Sequence, residues 1–204
     1  KSGEFHGKGS LTYTDGTSYS GGFDSGLPSG EGTLINTKGM SYAGSFYEGK
    51  FNGEGRLALT DGSGYTGDFE KGLYHGQGVL KLSDGTEYEG NFVRGYAEGD
   101  VEIRFPSGAL YSGQIKTRLA CNMNEMNCSK NSVYQGQGIF TNAKGDQYEG
   151  LFQDGQRNGS GILVLDSGIS LEGEWKEDTR WNLMVFDPDG TKRGAYENGV
   201  WNSP

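Results

Sequence analysis

YTGDFEKGLYHGQGVL, residues 65–80, places Tyr65, Gly67 and Phe69 on alternate positions, and the pair Gly76-Gln77-Gly78 starts seven residues after Phe69. A two-residue step sets Tyr65, Gly67 and Phe69 on one face of a β-strand. Beyond the Gly-x-Gly pair the apolar residues keep that step, as Leu80 and Leu82 here and as Leu57 and Leu59, Ile103 and Phe105, or Leu163 and Leu165 elsewhere. The stretch reads as two short strands.

The same pattern recurs outward from it. Gly16, Gly39, Gly62, Gly85 and Gly108 fall 23 residues apart, and each is followed three positions later by Tyr19, Tyr42, Tyr65, Tyr88 or Tyr111. Gly21, Gly44, Gly67, Gly90 and Gly113 come next, then Phe23, Phe46, Phe69, Phe92 and Ile115. Self-similarity at one fixed period identifies a repeat array. The register resumes at Gly145, Tyr148, Gly150 and Phe152, then at Gly168, Leu171, Gly173 and Trp175; the step of 37 from Gly108 to Gly145 is the period plus 14 residues. The extra residues fall between Ile115 and Gly136, which locates an insertion at about 116–134. The chain is thus expected to be one domain, 1–204, with a partial repeat 1–18, repeats from 19, 42, 65, 88, 111, 148 and 171, and a degenerate C-terminal cap 176–204.

Turn residues join the strands. TDG, TKG, TDG, SDG and PSG end at Gly16, Gly39, Gly62, Gly85 and Gly108, and Asp-Gly between alternating strands signals a two-residue primed hairpin turn. Asp15, Asp61 and Asp84 are turn formers on this reading. The expected fold is all-β, a continuous single-layer antiparallel sheet of hairpins. In-strand glycine marks a close approach, so a ring from an adjacent strand is expected to lie over the bare Cα of Gly21, Gly44, Gly67, Gly90 and Gly113.

Composition narrows the function. The 204 residues include 38 glycines and carry a net charge of −9. That balance argues against nucleic acid and against anionic or phosphoinositide membranes, which reward clustered Lys and Arg. No apolar run approaches the roughly 18 residues of a membrane helix. His6 and His75 are the only imidazoles, sit at equivalent positions of separate repeats, and so do not form a shared active site. No cofactor site is expected.

YSGGFDSGLPSGEGTL (19–34), YAGSFYEGKFNGEGRL (42–57), YTGDFEKGLYHGQGVL (65–80), YEGNFVRGYAEGDVEI (88–103), YEGLFQDGQRNGSGIL (148–163) and the weaker LEGEWKEDTRWNLMVF (171–186) resemble MORN repeats. The resemblance covers nearly the whole chain and implies an elongated, twisted β-hairpin solenoid. Arrays of this family bind protein partners, attach to membranes or cytoskeleton, or accompany catalytic domains such as lipid kinases and lysine methyltransferases. It also leans towards the cytoplasm.

Two segments depart from the pattern. In the last repeat Leu171 replaces tyrosine, Asp178 replaces glycine and RWNLMVFDPDG (180–190) replaces the Gly-x-Gly half. Terminal repeats cap an open edge; the sharper alternative is a docking site built from Trp175, Trp181, Leu183, Val185 and Phe186. The insertion TRLACNMNEMNCSKNSVY (117–134) holds both cysteines. A Cys121–Cys128 disulfide would close a small loop and favour an oxidising compartment. A competing reading takes Cys121, Met123, Met126 and Cys128 as soft donors for copper.

The expected function is a non-enzymatic protein-interaction scaffold. Tyr42, Phe46, Tyr65, Phe69, Tyr88 and Phe92 would line one face, and the insertion and the C-terminal edge would contact the partner. Sheet edges also permit a homo-oligomer. The alternatives are a carbohydrate or cell-wall binding module, using an aromatic ladder for sugar stacking, and an accessory targeting domain of a larger enzyme.

Overall fold

The computed structural model describes residues 3–117, 121–122, 127–128 and 132–203, and among them there is no helix. They fall into two compact units, the first running to Ala97 and the second starting at Glu98. In the first, β1 (Gly7–Thr12), β2 (Ser18–Asp24), β3 (Leu27–Ile35), β4 (Ser41–Tyr47), β5 (Lys50–Ala58), β6 (Gly64–Glu70), β7 (Leu73–Lys81) and β8 (Glu87–Val93) each pair antiparallel with the next. Most of β9 (Tyr96–Arg104) lies in the second unit and pairs with β10 (Leu110–Thr117). Two-residue strands β11 (Cys121–Asn122) and β12 (Asn127–Cys128) form a separate ladder. The second unit then continues from β10 through β13 (Ser132–Thr141), β14 (Gln147–Gln153), β15 (Gln156–Val164), β16 (Ser170–Lys176), β17 (Thr179–Phe186), β18 (Lys192–Glu197) and β19 (Val200–Asn202). The protein is all-β, an open antiparallel array of hairpins.

The turns that end at Gly16, Gly39, Gly62, Gly85 and Gly108 are not the two-residue primed turns that the sequence suggests. At Tyr13–Thr17 the Tyr13 N–H donates to Thr17 O at 2.8 Å and the Gly16 N–H to Tyr13 O at 2.9 Å, with Gly16 at φ 84°. This is a three-residue loop closed by a left-handed glycine, not a two-residue primed turn. Asp15, Asp61 and Asp84 accept the N–H two residues on, at 2.8, 2.9 and 3.0 Å. The primed turns lie at the other end of each hairpin, where Ser25-Gly26, Glu48-Gly49 and Lys71-Gly72 all have positive φ. Their mirror-image twist matches the strands they join. The N–H groups of Gly26, Gly49 and Gly72 donate to the carbonyls of Phe5, Pro28 and Phe51 in the preceding hairpin. Successive turns are therefore tied to one another.

Glycine faces glycine along most of the ladders. In the first unit Gly9, Gly21, Gly32, Gly44, Gly55, Gly67, Gly78 and Gly90 are cross-strand partners in succession. Gly113, Gly138, Gly150, Gly161 and Gly173 do the same in the second. The repeat tyrosine lies across this row. A Cβ added to Gly32 would come within 2.5–2.7 Å of three atoms of the Tyr19 side chain, and Gly55, Gly78, Gly138 and Gly161 are occluded in the same way by Tyr42, Tyr65, Tyr111 and Tyr148. The principal ring seats are thus the second glycines of the Gly-x-Gly pairs, on the adjacent strand. Gly21, Gly44, Gly67 and Gly150 face chiefly the partner glycine, its backbone and the tyrosine hydroxyl.

Each ring ends in a hydrogen bond. The hairpin register shifts between Gly21 and Phe23, Gly44 and Phe46, and Gly150 and Phe152. Tyr19, Tyr42 and Tyr148 donate their hydroxyls to the carbonyls of Gly22, Ser45 and Leu151 at these shifts, at 2.8, 2.9 and 3.0 Å. Ring packing completes the core. Tyr42 meets Phe46 and Phe69 edge to face at 5.1 Å and is stacked on Phe51 at 3.7 Å, contacts worth about 0.5–1.5 kcal/mol each beyond burial.

Two glycine substitutions separate ring seating from backbone strain. Gly78→Ala is expected to destabilise by about 3 kcal/mol, because its Cβ collides with the buried Tyr65 ring. Gly72→Ala, which has open space but left-handed φ, is expected to lose about 1–2 kcal/mol. Urea unfolding followed by circular dichroism checks the order; equal losses would reject the ring seat.

Candidate functional site

The sequence-derived contact residues divide by position. Tyr42, Phe46, Tyr65, Phe69, Tyr88, Phe92 and Trp175 are buried, while Trp181 and Phe186 are half-buried. The periodic rings face glycine and one another, so they form the core instead of an open aromatic groove. The cysteine and methionine side chains of the proposed disulfide and copper set lie outside the described residues; the backbone places Cys121 and Cys128 as cross-strand partners.

The imidazoles stay apart. His6 Nδ1 lies 3.3 Å from Asp24, and His75 Nδ1 lies 3.6 Å from Glu70. The Ser25 hydroxyl donates to Asp24, not to His6, so this trio lacks the base-to-nucleophile contact of hydrolytic triads. On the face opposite the rings, Glu54 and Asp68 are direct cross-strand partners, an unfavourable like-charge pairing. They line a polar trough of about 800 Å³ with Glu31, Arg56 and Gln77.

The C-terminal repeat differs in kind. Leu171 replaces the tyrosine, and Leu183 occupies the place of the glycine beneath it as the partner of Gly173. A recess of about 290 Å³ opens there, lined by Leu171, Val185, Tyr196 and Trp201 with Arg180 and Arg193. Trp201 lies over Gly194, restoring a ring on glycine in the final hairpin. Val200, Met184 and Trp201 are 63%, 47% and 41% exposed. Sequence reasoning passed over β18 and β19, although Asn198-Gly199 is a strong hairpin signal.

A model of the MORN repeat family matches residues 1–18, 19–41, 42–64, 65–87, 88–99, 130–147 and 148–170. The chain belongs to the MORN repeat family. Alsin from Rattus norvegicus and from Homo sapiens is 35% identical over 71 residues, which make up 32% of this MORN chain and only 4% of Alsin. Among solved structures, the SAS-4 TCP domain of Drosophila melanogaster in complex with a proline-rich motif of Ana2 aligns with a TM-score of 0.48 and 10% identity, over 91% of this chain and 86% of that one. The TCP10c domain of Drosophila melanogaster Sas-4 gives 0.46 and 11%, over 91% and 96%. Likeness at that level carries nothing about function.

Burial tunes the MORN tyrosines. It pushes the Tyr148 hydroxyl up to about 12 from 10.0, against the lowering effect of the Arg157 charge. Tyr42, Tyr65, Tyr74 and Tyr111 are raised further, also chiefly by burial. Above pH 10 the unfolded chain loses phenolic protons first, so stability is full below that pH and falls as pH rises towards the folded values. Phenolate absorbance and loss of the sheet signal are expected to rise together between about pH 10 and 12. Ionisation of all the tyrosines near pH 10 with the sheet intact would contradict their burial.

Proposed function

We propose that this chain is a non-enzymatic protein-binding module whose hairpins are the support and whose C-terminal hairpins, β17 to β19, contact the partner. The observation that carries this reading is the contrast within the chain. The periodic rings are committed to internal packing, whereas Trp201 exposes apolar surface at a recess holding two arginines, and Met184 and Val200, at the alternate strand positions, expose apolar surface on the other face of the same hairpins. Family membership supports an interaction role, and the insertion at about 116–134 is a second proposed contact region. Sugar stacking needs open ring faces, and the burial of the periodic rings favours a protein partner over a glycan.

The full chain used as bait, with Val200→Asp and a 117–133 deletion alongside, tests the proposal. Val200 is largely exposed, so its substitution is expected to leave thermal stability within about 0.5 kcal/mol and to weaken capture of a specific protein by roughly tenfold. Partner capture unaffected by both changes would reject these contact regions, and glycan-array binding without a protein partner would reject the module itself.

A further inference from the structure

In several hairpins the residue paired across from Phe46, Phe69 or Ile115 stacks on the repeat tyrosine. Phe51 lies on Tyr42 at 3.7 Å and 8°, Tyr74 on Tyr65 at 4.0 Å and 15°, and Tyr134 on Tyr111 at 3.9 Å and 17°. At Tyr148 the equivalent residue is Arg157. Its guanidinium carbon stands 5.7 Å from the Tyr148 centroid but 4.3 Å from that of Trp175.

Asp178 holds it there. The carboxylate accepts from Arg157 Nε at 2.9 Å and from its backbone N–H at 3.0 Å, and the Asp178 carbonyl accepts from Nη2 at 3.1 Å. Asp178 occupies the left-handed turn position, at φ 66°, where most other repeats have glycine. Arg157, Trp175 and Asp178 are therefore one coordinated departure from the repeat.

Its consequence is a vacancy. Beside Tyr148 lies a cavity of about 460 Å³, with Tyr134, Phe152 and Leu163 among its apolar walls and Arg157 on one side. Asn142, Asp146 and Asp178 provide polar lining. Asp146 accepts the Asp166 N–H at 2.9 Å and the Asn142 amide at 2.8 Å. Asp178, paired with Arg157, marks the turn end of the recess, and Asp146 marks the other end of β14, in a chain of net charge −9. The site combines an aromatic surface lacking the stacked ring found on Tyr42, Tyr65 and Tyr111 with a rim that favours positive charge.

We propose that this recess is a subsite for an aromatic side chain of a partner protein, presented beside a lysine or arginine. The inserted ring takes the stacking position that Phe51 and Tyr74 fill internally, and a flanking cation meets Asp178 at one end of the recess or Asp146 at the other. The subsite rests on the reading of the chain as a protein-binding module.

The test titrates the full chain with acetyl-Lys-Trp-Lys-amide, acetyl-Lys-Leu-Lys-amide and acetyl-Glu-Trp-Glu-amide, followed by the amide NMR signals of Tyr148, Gly155 and Leu163. The first peptide is expected to bind roughly tenfold more tightly than either of the others. Arg157→Tyr, which supplies the missing ring internally, is expected to reduce its affinity by a similar factor. Asp146→Asn, which removes a rim carboxylate while keeping an oxygen acceptor for the Asp166 N–H, provides a second reduction independent of any folding effect at Arg157. Equal binding of the three peptides, indole binding as tightly as the tryptophan peptide, or unchanged affinity in both variants overturns the subsite. A protein partner held equally by wild type and Arg157→Tyr overturns the subsite while leaving the module in place; absence of both peptide and protein binding overturns both.

Discussion

A tyrosine ring laid across two facing glycines is the contact on which most repeats depend. A single sheet layer has no second layer to cover it, and side chains at the facing positions would hold the ring away. With glycine at Gly44 and Gly55, or Gly67 and Gly78, the backbone itself becomes the floor of the core. The ring then covers backbone on its neighbour strand, its hydroxyl satisfies a carbonyl at the register shift, and its remaining surface meets the next phenylalanine. Burial, hydrogen bonding and repeat-to-repeat packing are thereby joined in one residue.

Two departures obey the same constraint, while Val101 stands opposite Gly113 at a position where other repeats carry glycine. Where tyrosine is lost, at Leu171, glycine is lost beneath it, at Leu183, so an aliphatic pair replaces ring on glycine. Where the stacking aromatic is lost, at Arg157, the guanidinium finds Trp175 and an aspartate at a turn position normally held by glycine. One exchange leaves the recess beside Val185 and Trp201, the other the cavity beside Tyr148. Both openings on the ring face are products of substitutions within the repeat, which links the proposed binding role to specific residues.

The array, its strand pairs and its family were legible because period and alternation are properties of spacing alone. Turn geometry was less so: Asp-Gly serves both two- and three-residue loops, and Glu48-Gly49 or Lys71-Gly72 becomes a primed turn only when strand register sets both φ values. The ring seat was displaced from Gly67 to Gly78 because a strand pattern does not reveal which way a ring leans across the ladder. Periodic rings read equally as a groove or a core, and only their packing on glycine assigned them to the core. Arg157 gave no sequence signal, since an arginine after a turn looks like ordinary surface until its equivalence to Phe51 and Tyr74 is visible.

The most direct test is a double-mutant cycle at Tyr65 and Gly78, in which Tyr65→Leu, Gly78→Leu and the double variant reproduce the Leu171 and Leu183 solution in the middle of the array. Each single change removes or evicts the ring, whereas the double variant no longer has a ring to displace. Urea unfolding should give a favourable coupling energy of about 2 kcal/mol or more. Losses that add within about 0.5 kcal/mol would contradict the ring-on-glycine contact as the basis of the fold.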